Sequence, residues 1–307
     1  MSQKNQKSSR SRGVGAVFLS FFGLIIGCGQ SDSEPIDSGK AQIRTVSSVE
    51  FSGLSAGANH TCGFLISGEL VCWGVNDDAQ LDVPEGRFVA VSAGADHTCT
   101  VDEAALAVCW GGNWQGQASP FGSGYTAIAS GNWHSCGLRN TGEVRCWGNN
   151  ERDQVYPPED TLFLGISTGH WHNCGVREDQ GVSCWGDNGA SQTEAPSGRF
   201  EEVCAGLAHA CAVDEAGMVQ CWGDDALGQR NVPADSIRGL SCGDNFSCGI
   251  SEDGDVRCWG ENSHGQTLPP DGVFVEVTAG GVHACGLRED GFVECWGSTE
   301  NDRSTPP

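Results

Sequence analysis

Fourteen of the 17 cysteines in this 307-residue chain fall into seven pairs that each span ten positions: Cys62 and Cys72, Cys99 and Cys109, Cys136 and Cys146, Cys174 and Cys184, Cys211 and Cys221, Cys248 and Cys258, Cys285 and Cys295. The first cysteines of successive pairs are 37 residues apart, with one step of 38 between Cys136 and Cys174. A fixed period in this range marks a repeat architecture. Seven units therefore fill residues 51 to about 300, and the added residue falls in the VYPPED stretch, where a longer loop costs little.

Aligned on the first cysteine, the units share a full template. An aromatic residue or Ile stands eleven positions earlier (Phe51, Phe88, Tyr125, Phe163, Phe200, Ile237, Phe274), an aliphatic residue eight earlier, and Gly five earlier in every unit. The second cysteine is always followed by Trp-Gly, and Gln comes seven after that Trp in the first six units. No helix-length apolar stripe occurs. Each unit instead has three short strand-like runs bounded by Gly, Asn, Asp and Pro, near 88–92, 97–101 and 106–110 in the second unit.

The segment between paired cysteines fits a hairpin. With Cys62 opposite Cys72, Gly63 faces Val71 and Phe64 faces Leu70, leaving the loop Ile66-Ser67-Gly68. A three-residue loop wants a left-handed third residue, which Gly68, Gly142, Gly217, Gly254 and Gly291 supply. Ala105 and Gln180 stand there in units two and four, so those turns must differ or carry strain, and Gly181 offers a rearranged hairpin. Cross-strand neighbours lie within disulfide reach, which makes seven intra-hairpin disulfides the simplest pairing. Closing each loop removes about 2.5–3 kcal/mol of unfolded-chain entropy in the chain-entropy treatment.

Units this small must share their apolar faces with neighbours, and the Trp after each second cysteine is the large packing element between them. A closed ring leaves no face uncovered. An open β-solenoid needs distinct caps, whereas every unit here repeats one interior pattern. The expected fold is all-β, a seven-bladed propeller of short three-stranded blades over residues 46–307. Two closures are open: each blade is contiguous in sequence, or the run near Phe51–Ala56 completes the blade of Cys285 and Cys295.

The repeated string G-x-x-H-x-C-G-L-x-x-x-G-x-V-x-C-W-G-x-N-x-x-G-Q, nearly whole over residues 131–154, resembles the RCC1-like repeat family. The 37-residue spacing is similar to its short-blade type, such as the β-lactamase inhibitor protein II, and the cysteine pairs are a departure that suits an exported chain. The resemblance implies the framework and not a function, because such frameworks carry many unrelated ones.

The start of the chain places it in a compartment. Lys4, Lys7, Arg10 and Arg12 precede an apolar run over 13–26, the layout of a secretory signal that is too short to span a bilayer. Ile25-Ile26-Gly27-Cys28 resembles the bacterial lipobox, which makes 1–27 a lipoprotein signal, Cys28 the lipidated first residue, and the polar stretch 28–45 a flexible tether. Gly29 after the lipidated Cys is similar to the pattern that sorts to the outer membrane. Paired cysteines in this number fit an oxidising compartment. Loss of the four signal charges moves the formal charge from -23 to -27, which repels phosphate backbones and anionic headgroups. Nucleic acid is excluded on this ground, and the membrane hold is assigned to lipid.

Tests for chemistry return little. His60, His97, His134, His172, His209 and His283 stand two before the first cysteine, with Phe246 in the seventh place. Equivalent atoms of different blades are too far apart to share an ion, so each His is expected to bond the backbone of its own blade, and no metal or cofactor is expected. Cysteine pairs ten apart on facing strands do not match zinc spacing. Asp77-Asp78 and Asp224-Asp225 are acidic turn pairs of the kind that can hold calcium, and more often are simply solvated. No unit carries a nucleophile motif, so no catalysis is expected. Cys204 and Cys242 lie outside the template in adjacent first strands, one position out of register. Even parity argues for an inter-blade disulfide, and side-chain alternation argues against it.

Departures from the template point to a binding face. Trp133 and Trp171 precede the template His in adjacent units, with Trp114, Tyr125 and His170 close in sequence. Aromatics of this kind dominate protein hot spots and also stack on sugars. The leading expectation is an envelope lipoprotein that binds or scaffolds a protein. A carbohydrate-binding module, an inhibitor of an extracellular enzyme, and a hydrolase with an unrecognised site are the rivals.

Overall fold

In the computed structural model, residues 49–307 are described. The signal 1–27, Cys28 and the tether 28–45 lie outside the described residues. The first unit folds as β1 (Phe51–Ala56), β2 (His60–Leu65) and β3 (Leu70–Gly74), hydrogen-bonded in that order into an antiparallel sheet. Six more three-stranded sheets of consecutive strands follow, so every blade is contiguous and the strand-exchange closure does not occur. The ring closes by packing instead. Phe51, Leu54 and Trp73 of blade one share a core with Cys285 and Leu287 of blade seven.

The hairpin register is the expected one: Cys62 pairs with Cys72, Gly63 with Val71 and Phe64 with Leu70, and all seven hairpins carry a disulfide between facing cysteines. Ala105 and Gln180 keep the common turn and accept left-handed backbone at φ 60° and 68°, close to the 87° of Gly68. The strain alternative therefore holds, and Gly181 does not rearrange its hairpin.

Strand β1 must place Phe51 and Leu54, three residues apart, on one face, which strict alternation forbids. A bulge between Phe51 and Gly53 resets the phase. Both side chains then lie over Gly63, where an added Cβ would come within 2.7 and 2.9 Å of them.

Four belts of hydrogen bonds run between neighbouring blades, each interrupted at one or two junctions. At the hub, in five blades the N–H four before the first cysteine donates to the glycine carbonyl five before it in the next blade, as from Ala58 to Gly94 (3.1 Å) and from Gly281 to Gly57 (3.2 Å). A Cβ on Gly57 would lie 2.1 Å from the Gly94 carbonyl oxygen, which explains the invariant glycine. Next, the hydroxyl seven before the cysteine accepts the following N–H of the next blade: Ser55 from Ala93, Ser92 from Ser130, Ser167 from Ala205, Ser241 from Ala279 and Thr278 from Ala56.

The third belt is the histidines. In five of the six, Nε2 meets the side chain one before the cysteine of the next blade: His60 with Thr98 (2.8 Å), His97 with Ser135 (2.8 Å), His134 with Asn173 (2.7 Å), His209 with Ser247 (2.9 Å) and His283 with Thr61 (2.8 Å), while His172 has no partner. The expectation of bonds within the same blade is thus corrected, because radial sheets present their side chains to neighbours. Last, each Trp Nε1 donates to the Gln carbonyl of the preceding blade, from Trp110 to Gln80 (2.9 Å) through Trp296 to Gln266 (2.9 Å). Arg303 replaces Gln at the seam, and Trp73 Nε1 has no partner there.

Candidate functional site at the hub

The second belt explains Cys204 and Cys242. Position seven before the cysteine of one blade faces position six before it in the next, so an offset of one is what an inter-blade contact requires. Blade five has Cys204 where four others have Ser, blade six has Cys242 in the facing place, and the two are bonded. Their sulfurs and that of Cys211 lie within 4.8 Å of one another, yet all three are in disulfides and none is free as a thiolate ligand.

The first strands of all seven blades line an axial cavity of about 290 Å3, and above it a mouth of about 70 Å3 opens on the face formed by the turns between first and second strands. The two share the residues six before the first cysteine. Those residues, and the ones two further on, are both Ala or Gly in blades one, two and seven: Ala56 and Ala58, Ala93 and Ala95, Ala279 and Gly281. Blades three and four depart, with Ser130 and Asn132, then Thr168 and His170. Asp244 of blade six is the one carboxylate lining the mouth, and it reaches across blade five to His170, with Nε2 to Oδ1 at 3.1 Å. Because a carboxylate only accepts, the His170 proton sits on Nε2.

On the turns that carry the lining residues Asn132 and His170 stand Trp133 and Trp171, both half-buried and edge to face with centroids 4.9 Å apart. Adjacent blades carry them at the same template position, which brings the rings together. Trp114 is 64% exposed at the same end of the ring, on the loop after the third strand of blade two. Tyr125 is corrected out of the face. It fills the template aromatic position, is 2% exposed, packs on Trp147 and donates its hydroxyl to the Phe121 carbonyl. Its sequence closeness to Trp133 misled because a strand carries the chain from one end of the ring to the other.

The buried histidines are held neutral. Burial pushes His60, His134 and His209 down to about 4, and His97, His172 and His283 to about 3. They are structural groups, one at each of six of the seven blade interfaces, and not a shared ligand set. The acidic turn pair Asp224-Asp225 binds its own loop: Asp224 accepts from Gln229 and Asp225 from the Arg230 N–H. Asp77 and Asp78 lie near Asp96 and help burial raise its carboxyl.

The repeat profile described as "Regulator of chromosome condensation (RCC1) repeat" matches residues 51–80, 125–154, 200–229 and 237–266, which are blades one, three, five and six. Four of the seven blades match the RCC1 repeat. Solved structures agree on the RCC1-like ring. The entire ectodomain of the Physcomitrella patens receptor kinase CR4 has a TM-score of 0.71 at 24% identity, over 81% of this chain and 74% of that one. The CRINKLY WD40 ectodomain of the Arabidopsis thaliana receptor kinase ACR4 gives 0.69 at 26%, over 81% and 98%. Prp20p from Saccharomyces cerevisiae, a protein studied for binding to Gsp1p and histones, gives 0.64 at 15%, over 81% and 83%. No curated protein matches the sequence of this RCC1-repeat chain.

The hub site was half legible in the sequence. Trp133, Trp171 and His170 stood out as departures, whereas Ser130, Thr168 and Asp244 did not, because small polar residues in strands and turns are ordinary. Only tabulating the positions six and four before each cysteine would have exposed them.

Proposed function

We propose that the chain is a cell-envelope lipoprotein, anchored through Cys28, whose ring docks a protein partner on the hub face, with no catalysis. The RCC1-like ring suits a protein-binding scaffold, and in Prp20p it belongs to a protein that binds other proteins. Eight disulfides among the described residues fit an oxidising extracellular or envelope setting. Among the described residues no helix is long and apolar enough to cross a membrane, and the proposed lipid on Cys28 provides the hold.

The observation that carries the docking surface is the break in symmetry at blades three and four. Of the seven turns that line the hub mouth, those of blades three and four alone place a Trp before the template His, and the two rings pack together. Packing needs no such pair, since the other five blades close with Asn59, Asp96, Ala208, Asn245 and Val282 in that place. Paired half-buried Trp rings supply the rigid apolar area that concentrates binding energy.

Affinity capture from salt-washed envelope extract tests this, with the full chain in mild detergent as bait beside the Trp133→Ala, Trp171→Ala double variant. A protein held by the first and lost by the second supports the reading. Equal capture by both, or elution by free neutral sugar alone, overturns it.

A further inference from the structure

We infer that the hub mouth is a receptor for one basic side chain of the docked partner, a lysine or arginine whose charged head enters between Asp244 and the Trp133–Trp171 pair. The inference rests on the protein-docking reading and adds the chemistry of what is docked.

Three independent features converge on a cation. The first is charge. The mouth is lined by one carboxylate, Asp244, and by no Lys or Arg. The described residues hold eleven arginines and no lysine against 37 acids, a formal -26. A concave site with low-dielectric walls focuses such a field and raises the local concentration of cations.

The second is an unanswered acceptor. Ser130 is 8% exposed, its hydroxyl meets no protein partner, and it lines both the mouth and the cavity beneath. Ala occupies this position in blades one, two, five and seven, so the ring closes without a hydroxyl here. A buried polar group with no partner is costly unless something else satisfies it. Ser130 offers its hydroxyl oxygen on the blade-three side and Asp244 its carboxylate on the blade-six side, and an ammonium or guanidinium head has donors for both.

The third is the aromatic rim. Trp133 and Trp171 directly follow Asn132 and His170, two residues that line the mouth, and their half-buried rings pack edge to face on the same two turns. A cation over a Trp face gains roughly 0.5–2 kcal/mol, most when desolvated. A mouth of about 70 Å3 has room for the head of a side chain, with its aliphatic stem left to lie along the Trp pair.

The test uses the full chain in detergent and three capped amino acids as probes, Nα-acetyl-arginine methylamide, its lysine analogue and its neutral glutamine analogue, with cellobiose as a neutral sugar. Binding is followed by NMR on the indole N–H signals. Saturable binding of a basic probe is expected, at least tenfold weaker in Asp244→Asn, about threefold weaker in Ser130→Ala, and changed less than twofold in Asp77→Asn, which removes an equal charge from an exposed turn. Equal weakening by Asp244→Asn and Asp77→Asn, or preferential binding of glutamine probe or sugar, overturns the inference. Should Asp244→Asn fail to fold, Ser130→Ala against Asp77→Asn decides. A protein captured by the wild-type chain and undiminished by Asp244→Asn would refute this pocket and leave the docking face. Specific binding of the basic probe with no protein captured would do the reverse.

Discussion

Blade junction four to five contains a fault that two opposite repairs should each relieve. His172 is fully buried, and neither ring nitrogen meets a hydrogen-bond partner, because the residue that faces it in blade five is Ala210. Junction six to seven meets the same geometry with Phe246 facing Ala284, apolar on both sides, and the five remaining junctions pair His with Thr, Ser or Asn. Ala210→Ser should give His172 its acceptor, and its hydroxyl can also donate to the Gln192 carbonyl, as Thr98 does to Gln80 (3.1 Å) and Ser135 to Gln117 (3.0 Å). One restored buried hydrogen bond is worth about 1–2 kcal/mol. His172→Phe should gain a similar amount by removing the unpaired imidazole. The two together should gain at least ~1 kcal/mol less than their sum, since each repair removes the partner the other needs. Thr98→Ala, which recreates the fault at His60, should cost about 1–3 kcal/mol. Guanidinium unfolding of the oxidised chain, read at constant m, measures all four. A neutral or destabilising Ala210→Ser alongside a cheap Thr98→Ala would refute the claim that this belt contributes to stability.

Three further outcomes follow from the same geometry. Six histidines with folded values near 3 to 4 against the usual 6.5 bind protons only on unfolding, so stability should fall as pH drops from 6.5 towards 4, by up to ~1.4 kcal/mol per pH unit per histidine; a pH series of melting temperatures that stays flat through this window would contradict it. Burial pushes the Glu276 carboxyl up to about 7, partly opposed by the Leu54 N–H at 3.1 Å, so its contribution is greatest below 4.5 and is lost as pH rises through 7; Glu276→Gln should raise stability at pH 8 by about 1–3 kcal/mol and leave it nearly unchanged at pH 4, as judged by denaturant midpoints. Ala105→Gly should stabilise by about 1 kcal/mol, because the left-handed turn position strains a Cβ, and an unchanged or lowered melting temperature would count against that strain.

Most of the fold was local information. The ten-residue cysteine spacing, the turn glycines and the Trp-Gly after each second cysteine depend only on hairpin geometry, which the chain specifies within some fifteen residues. Seven units of one template with uncovered faces then leave a closed ring as the arrangement that covers them all. Relations between blades had no such local signature. The bonds of His60 to Thr98 and of Ser55 to Ala93 cross 38 positions and depend on how two radial sheets face each other.

The same division holds for single residues. Sequence alone determined that Cys62 meets Cys72 and that Trp133 and Trp171 break the pattern, because both facts lie within a repeat and its copies. Only the tertiary structure decided that Cys204 can reach Cys242 despite an offset of one, that Tyr125 belongs to the core, and that Asp244 crosses a whole blade to meet His170. The physical reason is ring closure, which sets the angle between blades. That angle brings the side chains of separate repeats to one axis at distances no spacing along the chain encodes.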